Sequence, residues 1–165
     1  MFRDANEADL AAIVAIYNAA IPGRLSTADT EPVTPDSRRY WFNGHAPDHR
    51  PLWVAQAADG EVLAWLSFQS FYGRPAYHAT AELSVYVAPS HRRKGLGRTL
   101  LAQAIAEAPR LGLRTLLGFV FGHNNASLGL FTGLGFERWG TLPNVAELDG
   151  VERDLVIVGL RIRSV

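Results

Sequence analysis

An alternating segment, Thr80-Ala-Glu-Leu-Ser-Val-Tyr-Val87, runs through Ala88-Pro-Ser-His91 into Arg92-Arg-Lys-Gly95-Leu-Gly97-Arg98, with an apolar stretch at helical spacing behind it. The alternation reads as a strand, and Leu96, Leu100, Leu101, Ala104 and Ile105 form one face of a helix that Pro109 stops. A strand joined to a helix through such a loop requires a sheet with the helix packed back on it. The first N–H groups of that helix then have no internal partner, and the positive end of the helix dipole lies among them. Phosphate or pyrophosphate is the natural ligand for that position. Gly95 and Gly97 allow close backbone approach, while Arg92, Arg93, Lys94 and Arg98 add charge. Taken alone, the loop can also be a solvated turn.

Two nucleotide-binding loops are excluded by spacing. Leu100 stands where a Gly-x-Gly-x-x-Gly fingerprint needs its third glycine, and Lys94 precedes Gly95 where a P-loop lysine follows a glycine. Composition narrows the rest. With 165 residues, 48% of them hydrophobic, and a formal net charge of zero, a single compact domain spanning 1–165 is expected. No charge excess calls for nucleic acid, and the local cluster at Arg92–Arg98 suits a small polyanion. The absence of cysteine removes disulfides, thiolate ligands and a cysteine nucleophile. No stretch approaches the roughly 18 apolar residues of a membrane span, so no membrane partner and a cytoplasmic location are expected. His45, His49, His78, His91 and His123 show no ligand spacing, and no metal is expected.

The remaining elements read as follows. Met1–Arg3 is a short strand, and Asn6 caps a helix over Glu7–Ala20 that Pro22-Gly23 ends. Pro35–Asn43 forms a second helix, and strands Leu52–Ala57 and Val62–Phe71 make a hairpin around Asp59-Gly60. After the helix behind the basic loop come strand Thr115–Phe121, helix Asn125–Leu134, and strands Phe136–Leu142 and Arg153–Arg163. This order implies an α/β (α+β) domain whose mixed sheet of about seven strands is flanked by about four helices.

Arg92-x-x-Gly95-x-Gly97 resembles the pyrophosphate loop of the GNAT superfamily of N-acetyltransferases, Gln/Arg-x-x-Gly-x-Gly/Ala, and the element order resembles the GNAT fold over nearly the whole chain. Asn124-x-x-Ser127-x-x-Leu130-Phe131, followed by Gly135-Phe136, resembles a second element of that family, in which the asparagine touches the pantetheine arm. Helix capping explains Asn124 and Ser127 equally well. Within the superfamily, the chain is most similar to phosphinothricin and methionine sulfoximine acetyltransferases. Ile16-Tyr-Asn18, Trp41-Phe42, Phe71–Tyr77, Thr80–Val87 and Gly140–Val145 carry this similarity.

The resemblance implies acetyl-CoA as cosubstrate, held by Val85, Tyr86 and Val87 of the strand, Arg92–Arg98 including Leu96, and Asn124 and Ser127. It implies transfer to the amine of a small amino acid or analogue, and a homodimer. Such chemistry needs a base for the amine and a donor for the thioester oxygen. Glu82 matches the family's catalytic glutamate, its alternative being a strand-edge carboxylate paired with Arg or Lys. A backbone N–H of Val85–Val87 is the expected oxygen donor. Where the family has tyrosine or histidine as acid, this chain has Phe131, so either the thiolate leaves without help or Tyr17, Tyr77 or water returns the proton. Arg74 can hold an acceptor carboxylate or phosphinate, or be a solvated turn residue. Tyr17, Tyr77 and Thr80 complete the expected acceptor site, with Trp41, Phe42 and Phe71 as further aromatic walls or as core. Leu148 and Glu152 replace the lysine and tryptophan frequent in that subfamily. Peptide or protein N-acetylation is the enzymatic alternative, and a non-catalytic acyl-CoA-binding module is the alternative from another class.

Overall fold

The computed structural model describes residues 1–162. Strand β1 (Phe2–Asp4) leads to the expected Asn6 cap, whose Oδ1 accepts from Ala8 N at 3.0 Å while Asp9 Oδ2 accepts from Asn6 N at 2.8 Å. The first turn, Glu7–Asp9, is 3-10, and helix α1 (Leu10–Asn18) follows. Arg3 grips the same Asp9 carboxylate at 2.6 and 2.9 Å, which ties β1 to the helix start and holds that carboxyl below its usual pKa. Helix α2 (Pro35–Asn43) has the bounds read from sequence because Thr34 caps it, accepting from Ser37 N at 3.1 Å, and Pro35 occupies its first turn.

Strands β2 (Leu52–Gln56), β3 (Val62–Ser70) and β4 (Thr80–Val87) precede α3 (Leu96–Glu107), β5 (Thr115–Phe121), α4 (Asn125–Thr132), β6 (Glu137–Leu148) and β7 (Val151–Arg161). They form a seven-stranded sheet in the order β1-β2-β3-β4-β5-β7-β6. Every neighbouring pair is antiparallel except β4 and β5, which run parallel. Alternation along the strands sends side chains to two cores. Leu66, Phe68, Ala81 and Leu83 pack with Leu100, Leu101 and Ala104 of α3, while Leu52, Val54 and Trp65 pack with Ile13 and Ile16 of α1.

Two expectations need correction. β6 does not stop at Leu142 but bulges around Pro143-Asn144, where Asn144 N donates to Asp154 Oδ1 at 2.9 Å, and continues to Leu148. Proline is tolerated there because β6 is an edge strand. β7 therefore starts at Val151, after a tight turn whose Asp149 and Gly150 have φ of 52° and 77°, the left-handed pair that Asp-Gly supplies. The expected end of this strand at Arg163 lies outside the described residues. β7 lies between β5 and β6, with Val156 and Val158 buried.

Candidate active site

The one parallel pair is short. Thr80, Ala81 and Glu82 are in register with Thr115, Leu116 and Leu117, and beyond them β4 runs on to Val87 and β5 to Phe121 without pairing. The strands part at Glu82, leaving one edge of Leu83–Val87 with unused N–H and C=O groups inside the sheet. A cleft of about 530 Å³ opens there, lined by Glu82 to Tyr86, Phe119 to Phe121, Asn124, Ser127 and Phe131.

Glu82 sits at the rim of this parting, opposite Gln69 of β3. It is half-buried, and burial raises its pKa above the ordinary carboxylate value. Among the described residues it has no ion-pair partner, so the strand-edge pair with Arg or Lys is not formed. Val85 faces the cleft. The Tyr86 ring instead turns toward α1, stacks on Trp65 at 4.7 Å and donates its hydroxyl to Ser26 O at 2.8 Å, so only its backbone faces the parted edge. Phe131 is 4% exposed and packs edge-on to Phe136 at 4.9 Å.

At the head of α3, Arg93 and Gly95 have φ of 59° and 83°. This left-handed path carries the chain into the helix without a side-chain cap, and Thr99 N is the first N–H of the helix to be bonded back, to Gly95 O at 2.9 Å. The N–H groups before it are open to a ligand, and Arg92, Arg93, Lys94 and Arg98 beside them have no acidic partner among the described residues. Gly97 lies against Val85 and Val87, bringing this helix start to the parted strand, and Leu96 packs into the core beneath. Asn124 both caps α4, accepting from Ser127 N at 3.1 Å, and donates to Leu25 O at 2.9 Å. One of its amide hydrogens is left over at the cleft wall, as is the Ser127 hydroxyl.

Sequence-predicted acceptor residues divide. Tyr17 lines the cleft, its hydroxyl donating to Asp29 Oδ2 at 2.5 Å and bonded to Thr27, and burial raises its pKa. Arg74 and Tyr77 lie on the exposed Tyr72–His78 loop, where Tyr77 packs on Phe71 at 5.3 Å, and neither reaches the cleft. Thr80 is a paired residue at the start of β4, off the cleft wall. Sequence reasoning missed a smaller cavity of about 140 Å³ on the α1/α2 side of the sheet, which shares Tyr17, Arg38, Ser84 and Tyr86 with the cleft. The available signal was polar alternation, Ser67-x-Gln69 against Glu82-x-Ser84, within otherwise apolar strands.

A strand edge opened beside a half-buried carboxylate, with the open N–H groups and cations of a helix start close by, can hold an anionic ligand next to a proton acceptor. Comparison with known proteins agrees. Residues 12–136 match the Acetyltransferase (GNAT) family. The chain is 54% identical to the YwnH protein of Bacillus subtilis over 95% of its own length and 96% of that protein's. It is 38% identical to the L-methionine sulfoximine/L-methionine sulfone acetyltransferase of Pseudomonas aeruginosa, over 97% and 93% of the two chains. The crystal structure of a GNAT superfamily phosphinothricin acetyltransferase from Sinorhizobium meliloti in complex with AcCoA superposes with a TM-score of 0.92 at 27% identity, covering 98% and 88% of the chains. The chain belongs to the GNAT acetyltransferase family and is an acetyl-CoA-dependent N-acetyltransferase with the fold of that family.

Proposed function

We propose that this enzyme transfers acetyl directly from acetyl-CoA to the α-amine of a small amino acid or amino-acid analogue. The observation that carries this reading is the parting of β4 from β5 immediately after Glu82, which sets a carboxylate with a raised pKa beside unpaired strand backbone. Glu82 takes a proton from the acceptor's ammonium group. The freed nitrogen forms the C–N bond as the C–S bond breaks, and the sulfur leaves with the electron pair. Strand N–H groups of Val85–Val87 face the charge that develops on the thioester oxygen. The open N–H groups at the start of α3 and the cations of Arg92–Arg98 take the pyrophosphate, and Asn124 and Ser127 border the pantetheine arm. Phe131 has no proton to give to the leaving sulfur, which leaves as thiolate or takes a proton from water or from the Tyr17 hydroxyl, one of those lining the cleft. Absence of cysteine favours direct transfer.

The relatives named above for methionine sulfoximine, methionine sulfone and phosphinothricin support this acceptor class. Thiol release from acetyl-CoA, measured across amino acids, methionine sulfone, methionine sulfoximine, phosphinothricin and short peptides, tests it. Turnover on one of the free amino acids or analogues is expected, and turnover confined to peptides sinks the proposal.

A cytoplasmic homodimer completes the reading. Trp139, Leu142, Val145 and Val151 expose apolar surface along the β6–β7 hairpin, at 42–56% relative exposure, which a second copy can cover. Sedimentation equilibrium at micromolar protein is expected to give twice the 18.1 kDa chain mass, and the single-chain mass refutes the dimer.

A further inference from the structure

Arg50 stands between helix α2 and strand β2, and the chemistry described above makes no use of it. It is 3% exposed, and among the described residues no carboxylate pairs with it. Its Nε is buried without a hydrogen-bond partner, and burial lowers its pKa. A guanidinium taken out of water on such terms weakens the fold, and an apolar side chain of similar length would fill the place at less cost. Its remaining donors show what it supplies instead.

Those donors meet backbone carbonyls only. Nη1 donates to His49 O at 2.9 Å, and Nη2 donates to His78 O at 2.8 Å and more weakly to Thr80 O at 3.5 Å. The root of the side chain is fixed, because Arg50 and Ala46 exchange both backbone hydrogen bonds, at 3.0 and 3.1 Å, and Pro51 O accepts from Phe68 N of β3 at 3.0 Å. As β3 lies between β2 and β4 in the sheet, the guanidinium reaches past the end of β3 to the start of β4. There Ala79 O accepts from Arg114 N at 2.8 Å and from Thr115 N at 3.1 Å. The carbonyls of His78, Ala79 and Thr80 are therefore all held, the outer ones by Arg50 and the middle one by the entry to β5.

This entry governs the site because only Thr80, Ala81 and Glu82 pair with β5 before the strands part. So short a ladder has little pairing of its own to fix its register, and the exposed loop over residues 72–78 feeds directly into it. Glu82 ends the paired segment, so a displacement at Ala79 is carried along the strand to the carboxylate and to the parted edge. Small misplacements of reacting groups are expensive in rate.

We propose that Arg50 is a positioning residue for acetyl transfer, clamping the entry of β4 so that the parting from β5 falls at Glu82. The role rests on the acetyl-transfer reading above, in which Glu82 is the base.

The test compares Arg50→Met and Arg50→Lys with the wild type in turnover of acetyl-CoA with methionine sulfone and with phosphinothricin, in Tm, and in amide hydrogen exchange. Arg50→Met is expected to lower kcat by about 10–100-fold while changing the KM for acetyl-CoA by less than about twofold. Its Tm is expected to stay within about 4 °C of wild type, because loss of the buried unpaired charge offsets loss of the hydrogen bonds. Exchange is expected to quicken about tenfold in residues 79–82 and 115–117 and to stay unchanged in the core helix α3. Arg50→Lys keeps the charge without the planar fork, and its kcat and local exchange are expected to fall between those of the other two proteins. A merely structural Arg50 lowers Tm and quickens exchange throughout while the folded fraction keeps the wild-type kcat, and that result overturns the proposal. So does a kcat within about twofold of wild type, or unaltered exchange at the entry of β4. These outcomes leave acetyl transfer standing, whereas a wild type that turns over no free amino acid or analogue overturns both.

Discussion

Glu82→Gln is expected to lower turnover by about 10²–10⁴-fold with acetyl-CoA affinity unchanged, because the substitution keeps the shape of the side chain and removes only its ability to take a proton. The same residue controls two pH dependences of opposite sense. Burial raises its pKa, and only the ionised form is a base, so kcat/KM of the wild type rises with pH through that raised value and then levels. Stability runs the other way. Below the carboxyl's unfolded value, about 4.3, both states hold the proton and burial of the group costs no ionisation energy. As pH rises through the interval between the unfolded and the raised folded value, the native state must give up a proton it retains better, and stability is lost. Glu82→Gln abolishes that loss. The inactive variant should therefore melt above wild type at pH 7 and converge with it below about pH 4. Turnover within a fewfold of wild type would dismiss Glu82 as the base. A variant that is inactive but melts below wild type would mean that the carboxylate is held by contacts that stabilise its ion.

Why Glu82 was legible and other parts of the site were not follows from the range of the interactions involved. Thr80–Val87, Thr115–Phe121 and Pro35–Asn43 keep the bounds read from sequence because alternation, Thr34 with Pro35, and the Gly95 loop are local signals. A carboxylate in such a strand is conspicuous in the sequence itself. The parting of β4 from β5 is a property of two segments more than 30 residues apart, and no local pattern reports where their pairing ends. Arg74 and Tyr77 carry the right chemistry in a loop next to the right strand, yet the loop turns them outward at Tyr72 and Gly73, whose φ values of 53° and 63° no composition rule anticipates. Conversely, no local pattern pairs Arg38 of a short helix with Asp29 of the loop before it. Their partnership beside Tyr17 exists only once α2 is folded over β3 and β4.

Gly118→Val is expected to destabilise the protein by about 3 kcal/mol, a fall in Tm of about 6–12 °C for a chain of this size. A Cβ at this position on β5 would lie 2.9 and 3.0 Å from two ring carbons of Phe131 and 3.0 Å from Val158 Cγ2. None of these atoms can retreat cheaply. Val158 is fully buried in β7, and the Phe131 ring is held against Phe136 on its other side. Gly118 is thus the recess into which Phe131 fits, so the residue standing in the place of an acid fixes the wall of the cleft by packing. Making room should reveal that dependence: Phe131→Leu leaves a cavity in the native background, yet combined with Gly118→Ala its cost should fall below the sum of the two single substitutions. Thermal melts of the four proteins in this cycle measure the coupling. Additive losses would mean that Phe131 repacks independently of Gly118, and the cleft wall would then have to be fixed from elsewhere.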